Sequence, residues 1–344
     1  MIERIWFGNS NIDRIARAAL SPLELAYRGI VFLRGALYER GLITTHRSRI
    51  RVISVGNLTV GGTGKTPIAA WLAHELFTRQ LAPAIVMRGY GDDEPRVHAR
   101  LNPEIPVIID ADRVQGIEEA ARSGAQVVVL DDAFQHRRAS RDADIVLVNV
   151  DGWTGAHHML PSGPYREPLS SLARATAVIV THKAADEARV DEVIDAVRGV
   201  APNAPVITAR LFLDQVVRET PPGAVIDLTG LIGKRLLVIA AIGNPEAFFD
   251  QLECAGADVT RRPFPDHHRF ERREVEQLAA ESAGFDYTIC TLKDAVKLAP
   301  SWPAAAKPLW YVSLAVSIER GRDELDRILD QLSKPNGVSI TRDD

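Results

Sequence analysis

The sequence predicts an α/β fold: a mostly parallel sheet with helices on both faces, then a second, smaller α/β domain, all preceded by an apolar N-terminal helix. Three observations predict it. Short β-branched runs alternate with helical patterns through the first two-thirds of the chain, the rhythm of crossover-connected parallel strands. Two of these runs, Val127-Val128-Val129-Leu130 and Ile145-Val146-Leu147-Val148, are apolar at every position, as strands covered on both faces must be. After Pro221-Pro222-Gly223 the strand–helix rhythm begins again. A chain of 344 residues has room for about two domains. The expected divisions are N-terminal helices over 1–45, the main domain over 46–205, a linker over 206–225, a second α/β domain over 226–316, and a C-terminal helix and tail over 317–344.

Residues 10–20 read as a helix. Ser21-Pro22 then breaks and restarts it, with Ser21 as N-cap and Pro22 in the first turn, and the second helix runs to about Glu39. Arg28, Arg34 and Arg40 recur every six residues, which spreads them around the helix and leaves a wide apolar surface. Two readings fit: a helix packed on the core, or one embedded in a membrane interface with its arginines reaching the lipid phosphates. Strands follow at 51–56, 83–88, 105–109, 126–130, 144–149, 177–182 and 205–210, with helices at 67–79, 112–123 and 185–199. The second unit reads as strands at 236–241, 287–291 and 309–314 and helices at 245–252, 271–283 and 318–332, with a disordered tail after Pro335.

Bulk composition excludes several classes. The net charge of −4 carries no nucleic-acid signature. Residues 1–50 hold eight arginines and four acids, so a basic, apolar end suits an anionic lipid surface. No run of 18 apolar residues predicts a spanning helix, and no hydrophobic segment precedes a cleavage site. Cys254 and Cys290, far apart, read as two buried, reduced thiols. The pairs His157-His158 and His267-His268 lack ligand spacing for a metal.

The stretch with the strongest chemistry is Val52–Pro67. A buried strand leads into Thr59-Val60-Gly61-Gly62-Thr63-Gly64-Lys65-Thr66 and then a helix. Glycines in such a turn let backbone N–H groups converge on phosphate oxygens; Lys65 reaches the β- and γ-phosphates, and the Thr66 hydroxyl suits Mg²⁺. Thr59 stands where a P-loop usually has its first glycine. Asp131-Asp132 closes the strand that ends at Leu130, the Walker-B position for a Mg²⁺ carboxylate, although a capping aspartate fits there too. Asp92-Asp93-Glu94 follows another strand end, where open α/β sheets place their sites. These acids suit proton abstraction from a hydroxyl, a second cation, or merely a solvated turn.

An ordered series of blocks resembles the tetraacyldisaccharide 4′-kinase family, the lipid A 4′-kinases. The series begins with Gly56-Asn57-Leu58-Thr59-Val60-Gly61-Gly62-Thr63-Gly64-Lys65-Thr66-Pro67, Arg88-Gly89-Tyr90-Gly91, Asp93-Glu94-Pro95 and Asp112-Arg113-Val114. It continues with Leu130-Asp131-Asp132-Ala133-Phe134-Gln135-His136 and Leu160-Pro161-Ser162-Gly163-Pro164-Tyr165-Arg166-Glu167-Pro168. It ends with Ala241-Ile242-Gly243-Asn244-Pro245, Phe264-Pro265-Asp266-His267-His268 and Thr291-Leu292-Lys293-Asp294-Ala295-Val296-Lys297. The resemblance implies transfer of the γ-phosphoryl of ATP, with Mg²⁺, to the 4′-hydroxyl of a tetraacylated glucosamine disaccharide 1-phosphate. It further implies two α/β/α domains joined by two strands, here Val206–Leu213 and Trp310–Ile318, with the active site in the cleft between. A monotopic seat on the cytoplasmic face of the bacterial inner membrane, through the N-terminal helix, is implied as well.

By the same resemblance, Asp93 is the catalytic aspartate and His267 its histidine partner, a pair suited to drawing a proton from an alcohol. Thr66, Asp131 and Asp132 hold the metal. Glu94, Arg113, Gln135, Arg166 and Glu167 line the site, the two arginines matching phosphate oxygens with their forks. The chain departs from the family pattern in three places. Asp92 fills a glycine position in a shortened loop and so rivals Asp93; Ala133 replaces glycine after Asp131-Asp132; and Leu292 replaces an acid. The main rival reading is a membrane-associated, deviant P-loop ATPase without lipid kinase activity, but Val60 stands where that class has lysine. A GTPase would need an aspartate that His182-Lys183-Ala184-Ala185 lacks, and a non-enzymatic lipid-binding module would not need the nucleotide machinery.

Overall fold

The computed structural model describes residues 2–8, 10–89 and 93–333. They form two compact units: the first takes residues up to 89, 102–210 and 316–333, the second 93–101 and 211–315.

The first unit opens with helices α1 (Ile2–Phe7) and α2 (Asn11–Glu39). The expected break at Ser21-Pro22 does not occur, and α2 is continuous through Pro22. A proline inside a helix removes the N–H that would serve the carbonyl four residues earlier. Here that carbonyl is Ala18 O, and the Ser21 hydroxyl donates to it instead at 2.7 Å. The true N-cap is Ser10, whose hydroxyl accepts from Asp13 N while the Asp13 carboxylate accepts from Ser10 N, a reciprocal capping box. Tyr27 and Val31 of α2 pack on the core, whereas Leu25, Ile30, Phe32 and Leu33 are exposed, Phe32 at 78%. No helix of the described residues is long and apolar enough to cross a membrane.

Seven strands make the sheet of this unit. They are β1 (Arg51–Asn57), β2 (Pro83–Met87), β3 (Val107–Ile109), β4 (Val127–Asp131), β5 (Ala143–Asn149), β6 (Ala177–His182) and the start of β7 (Val206–Arg218). Their order is β7-β6-β5-β1-β4-β2-β3, every pair parallel. Around them run α3 (Lys65–Thr78), α5 (Arg113–Arg122) and α6 (Glu187–Val200). The register Val55↔Asp131 brings the carboxyl ends of β1 and β4 side by side, so the loop after β1 opens beside the aspartates after β4.

The second unit begins with α4 (Asp93–Leu101), a helix absent from the elements the sequence predicts. Its only apolar anchors are Val97 and Leu101, which join the core of this unit. Asp92, the rival to Asp93, lies outside the described residues. The unit then contains β8 (Val225–Asp227), β9 (Arg235–Ala240), α7 (Pro245–Cys254), β10 (Asp258–Pro263), α8 (Arg272–Glu281), β11 (Tyr287–Thr291), α9 (Leu292–Leu298) and the start of β12 (Leu309–Arg320). The strand order is β10-β9-β11-β12-β7, with β8 antiparallel to β7. β10 is an edge strand of sequence Asp-Val-Thr-Arg-Arg-Pro, too polar to register as a strand.

Strand β12 runs on to Arg320, so the last helix starts later than residue 318. Gly321 makes the turn at φ +80°, where a Cβ would lie 3.1 Å from the Ile207 side chain. Helix α10 (Arg322–Ser333) follows and closes the first unit, burying Leu325, Leu329 and Leu332 while Arg322 forks onto Glu75 of α3. The tail expected after Pro335 lies outside the described residues. Cys290 is buried, its thiol donating to Trp310 O at 3.4 Å and pushed well up by burial; Cys254, against expectation, is exposed at the end of α7.

Candidate functional site

In the first unit the chain leaves β1 at Asn57 and re-enters helix at Lys65. Gly64 holds the turn at φ +84°, a left-handed conformation that costs glycine nothing, and so launches α3 with its first N–H groups facing the loop. Asn57, fully buried, is the hub. Its amide donates to Thr63 Oγ1 at 2.7 Å and to Thr59 Oγ1 at 3.3 Å, and its Oδ1 accepts from Arg166 and, at 3.4 Å, from Lys65 Nζ. Gln135 Nε2 closes over the same residue, donating to Asn57 O at 2.8 Å. Sequence reasoning gave Asn57 no role, although it stood inside the recognised block; a short polar residue ending an all-apolar strand was the available signal.

Lys65 Nζ lies 3.4 Å from Gly61 O and 3.8 Å from Asp132 Oδ1. Arg166 grips Asp132 with both terminal nitrogens, at 3.2 and 2.8 Å. Burial raises the Asp132 carboxyl, but the Arg166 hydrogen bond and the charges of Lys65, Arg166 and Arg113 outweigh it and hold it below the usual carboxylate range. Asp132 also takes the left-handed backbone, φ +52°, so the alanine at 133 carries no such strain. The Thr66 hydroxyl meets Asp131, not Asp132, donating to Oδ2 at 3.3 Å. A hydroxyl and a buried carboxylate oxygen side by side form a hard-oxygen pair. No cluster of three potential metal-ligating side chains exists among the described residues, and Mg²⁺ bound mostly by phosphates and water needs none. Arg113 is buried and donates to Asp110 O at 2.9 Å; Glu167 is buried and bound to Arg174 at 2.8 Å.

The second unit holds a different group. Asp93, in the first turn of α4, is only 6% exposed. Its Oδ2 has no hydrogen-bond partner among the described residues; it lies 3.7 Å from His267 Nδ1 and 3.9 Å from Lys293 Nζ, while Lys293 Nζ is 3.2 Å from His267 Nε2. An ammonium only donates, so Nε2 is the acceptor and the imidazole hydrogen sits on Nδ1, facing Asp93. His267 adopts φ +58°, its N–H capped by Asp266 Oδ1 at 3.0 Å. The neighbouring His268 is structural: its ring stacks on Phe264 and bonds Glu274 Oε2 at 3.0 Å. Lys293 was missed as a functional residue, though it stands in the Thr291–Lys297 block; its side chain reaches both members of the pair from the first turn of α9. Glu94 is half-buried beside Asp93.

Fold and loop together define a P-loop nucleotide-binding protein of the mostly parallel α/β class. The family model described as LpxK, tetraacyldisaccharide-1-P 4′-kinase, matches residues 16–97 and 92–334. The chain is similar to the tetraacyldisaccharide 4′-kinase of Anaeromyxobacter dehalogenans (strain 2CP-C), 37% identical with 95% of this chain and 94% of the relative covered. It is also similar to that of Halorhodospira halophila, 37% identical over 90% and 91%. The crystal structure of LpxK from Aquifex aeolicus in complex with ATP has the same fold, with a TM-score of 0.72 at 24% identity over 92% of this chain and 99% of that one. The chain belongs to the tetraacyldisaccharide-1-P 4′-kinase family.

Proposed function

We propose that the protein transfers the γ-phosphoryl group of ATP to the 4′-hydroxyl of a tetraacylated glucosamine disaccharide 1-phosphate, a step of lipid A synthesis. The observation that carries this reading over the ATPase alternative is the Asp93–His267 pair at 3.7 Å, an acid–imidazole group with no use in simple nucleotide binding. The backbone from Thr59 to Gly64 holds the phosphates and Lys65 spans the β- and γ-oxygens. Thr66 and Asp131 would hold Mg²⁺, which neutralises charge on the phosphate oxygens. Asp132 fixes Arg166, and Arg166 and Arg113 supply positive charge to the transferred group. Gln135 locks Asn57, Glu167 holds Arg174, and Glu94 lines the acceptor side. As the O4′–Pγ bond forms and the bond from Pγ to the ADP oxygen breaks, Asp93 takes the hydroxyl proton. His267, oriented by Lys293, steadies Asp93.

The exposed apolar face of α2 supports a seat in an anionic membrane surface at the cytoplasmic face of the inner membrane. Arg34 donates to Gln135 O at 2.8 Å and Arg28 lies 3.3 Å from Glu24, which leaves Arg40 as the helix arginine to reach lipid phosphates. Two experiments test these readings. Incubation with γ-labelled ATP, Mg²⁺ and the acylated disaccharide 1-phosphate in detergent should label the lipid at the 4′ position; ATP turnover with no labelled lipid would favour the ATPase. Replacing Ile30, Phe32 and Leu33 together with glutamate should abolish pelleting with phosphatidylglycerol vesicles, and full retention on the vesicles would move the anchor elsewhere.

A further inference from the structure

Residues 158–166 form a strap that is fastened along both edges. On one edge it pairs with the phosphate loop: Val60 N donates to Pro164 O at 2.8 Å and Arg166 N to Leu58 O at 2.7 Å. On the other it is tied to the N-terminal helices. Tyr27 Oη donates to Arg166 O at 3.0 Å, Met159 N donates to Glu24 Oε1 at 2.9 Å, and Trp6 Nε1 donates to Pro161 O at 3.0 Å. The backbone of Arg166 is therefore clamped through its N–H by the phosphate loop and through its carbonyl by α2, while its side chain reaches Asp132 and Asn57.

Glu24 is the notable member. It is 7% exposed on a helix whose outer face is apolar, and Arg28 and His158 flank it at 3.3 and 3.4 Å. A buried carboxylate is costly unless it is fully engaged, and this one is spent on the strap. We infer that Glu24 and Tyr27 are positioning residues: they carry the placement of α2 into the orientation of the Arg166 guanidinium during phosphoryl transfer. The inference rests on the kinase reading above. A guanidinium displaced by about an ångström loses on the order of a hundredfold in rate, so part of that loss should follow when one tie is cut.

The test is a double-mutant cycle on lipid phosphorylation. Tyr27→Phe should lower kcat about five- to tenfold with KM for ATP within about twofold. In an Arg166→Lys background the same substitution should change kcat less than about twofold. Glu24→Leu should lower kcat by a similar factor, and Glu24→Gln, which keeps the acceptor for Met159 N, should restore it. An unchanged kcat in Tyr27→Phe overturns the inference. So does an equal loss in both backgrounds, which would be the mark of a merely structural contact. A wild-type protein that labels no lipid sinks the kinase reading instead; the cycle is then run on the kcat of ATP hydrolysis, where zero coupling between positions 27 and 166 overturns the inference by itself.

Discussion

Around the phosphate loop the polar groups are tied to one another. Asn57 reaches two threonine hydroxyls, a lysine and an arginine, and Arg166 holds Asp132 with two nitrogens. Around Asp93 the picture reverses. The nearest nitrogens, His267 Nδ1 and Lys293 Nζ, stand 3.7 and 3.9 Å away, beyond hydrogen-bond length, and His267 is half exposed on a left-handed backbone. The contrast suits the chemistry. A phosphoryl group passing through a loose transition state needs charges fixed in advance. A base that must admit a sugar hydroxyl needs room and a carboxylate oxygen left without a donor. Contacts of this kind tighten when the acceptor arrives.

That difference sets the order of mutational effects. Lys65→Ala should cost the most, about a thousandfold in transfer, because it removes a fixed charge that no neighbour replaces. Asp93→Asn should follow at roughly a hundredfold or more, the size of a general-base contribution, with ATP affinity intact. His267→Ala should slow turnover about tenfold to a hundredfold and weaken ATP binding less. Lys293→Met should cost only several-fold, since it acts through the histidine. Single-turnover rates beside ATP affinities measure all four. A His267→Ala enzyme as impaired as Lys65→Ala would show that the loosely arranged side is as demanding as the rigid one, and the comparison would fail.

The two sides were also unequally legible in the sequence. The phosphate loop could be read because its conformation is dictated locally: glycines at fixed places, a lysine, a hydroxyl and a helix start are contiguous. Asp131 and Asp132 were visible for the same reason, at the end of an all-apolar strand. What could not be read was the division of labour between them, since the pairing of Thr66 with one and of Arg166 with the other is set by the register of β1 on β4. The Asp93–His267–Lys293 group joins three segments far apart in the chain. Asp93 was visible only as one of three acids at a strand end, its pairing with His267 came through the family resemblance, and Lys293 did not emerge at all. The helix that presents Asp93 was missed because only Val97 and Leu101 give α4 an apolar face. The continuous α2 was missed for another reason: Pro22 is a strong breaker, and a serine one position earlier repairs the damage.

The rigidity claimed for the phosphate side has a thermodynamic signature that leaves the rate at neutral pH untouched. Tyr165 lies in the strap, bridges to Thr59 and packs its ring edge-on against His157 with centroids 5.2 Å apart. Burial pushes its phenol up to about 12. The unfolded chain ionises near the ordinary value of about 10, so the folded state binds the proton more tightly. The stability this contributes is fully present below about pH 10 and is lost progressively as pH rises toward 12, to a total of about 2–3 kcal/mol. Tyr165→Phe has no proton to lose, so its denaturation midpoint should fall less steeply than the wild type over that window while the two agree near pH 7. Parallel curves for the two proteins would mean that the strap opens readily enough to hydrate the phenol, and a loosely held strap would remove the contrast between the two halves of the chemistry.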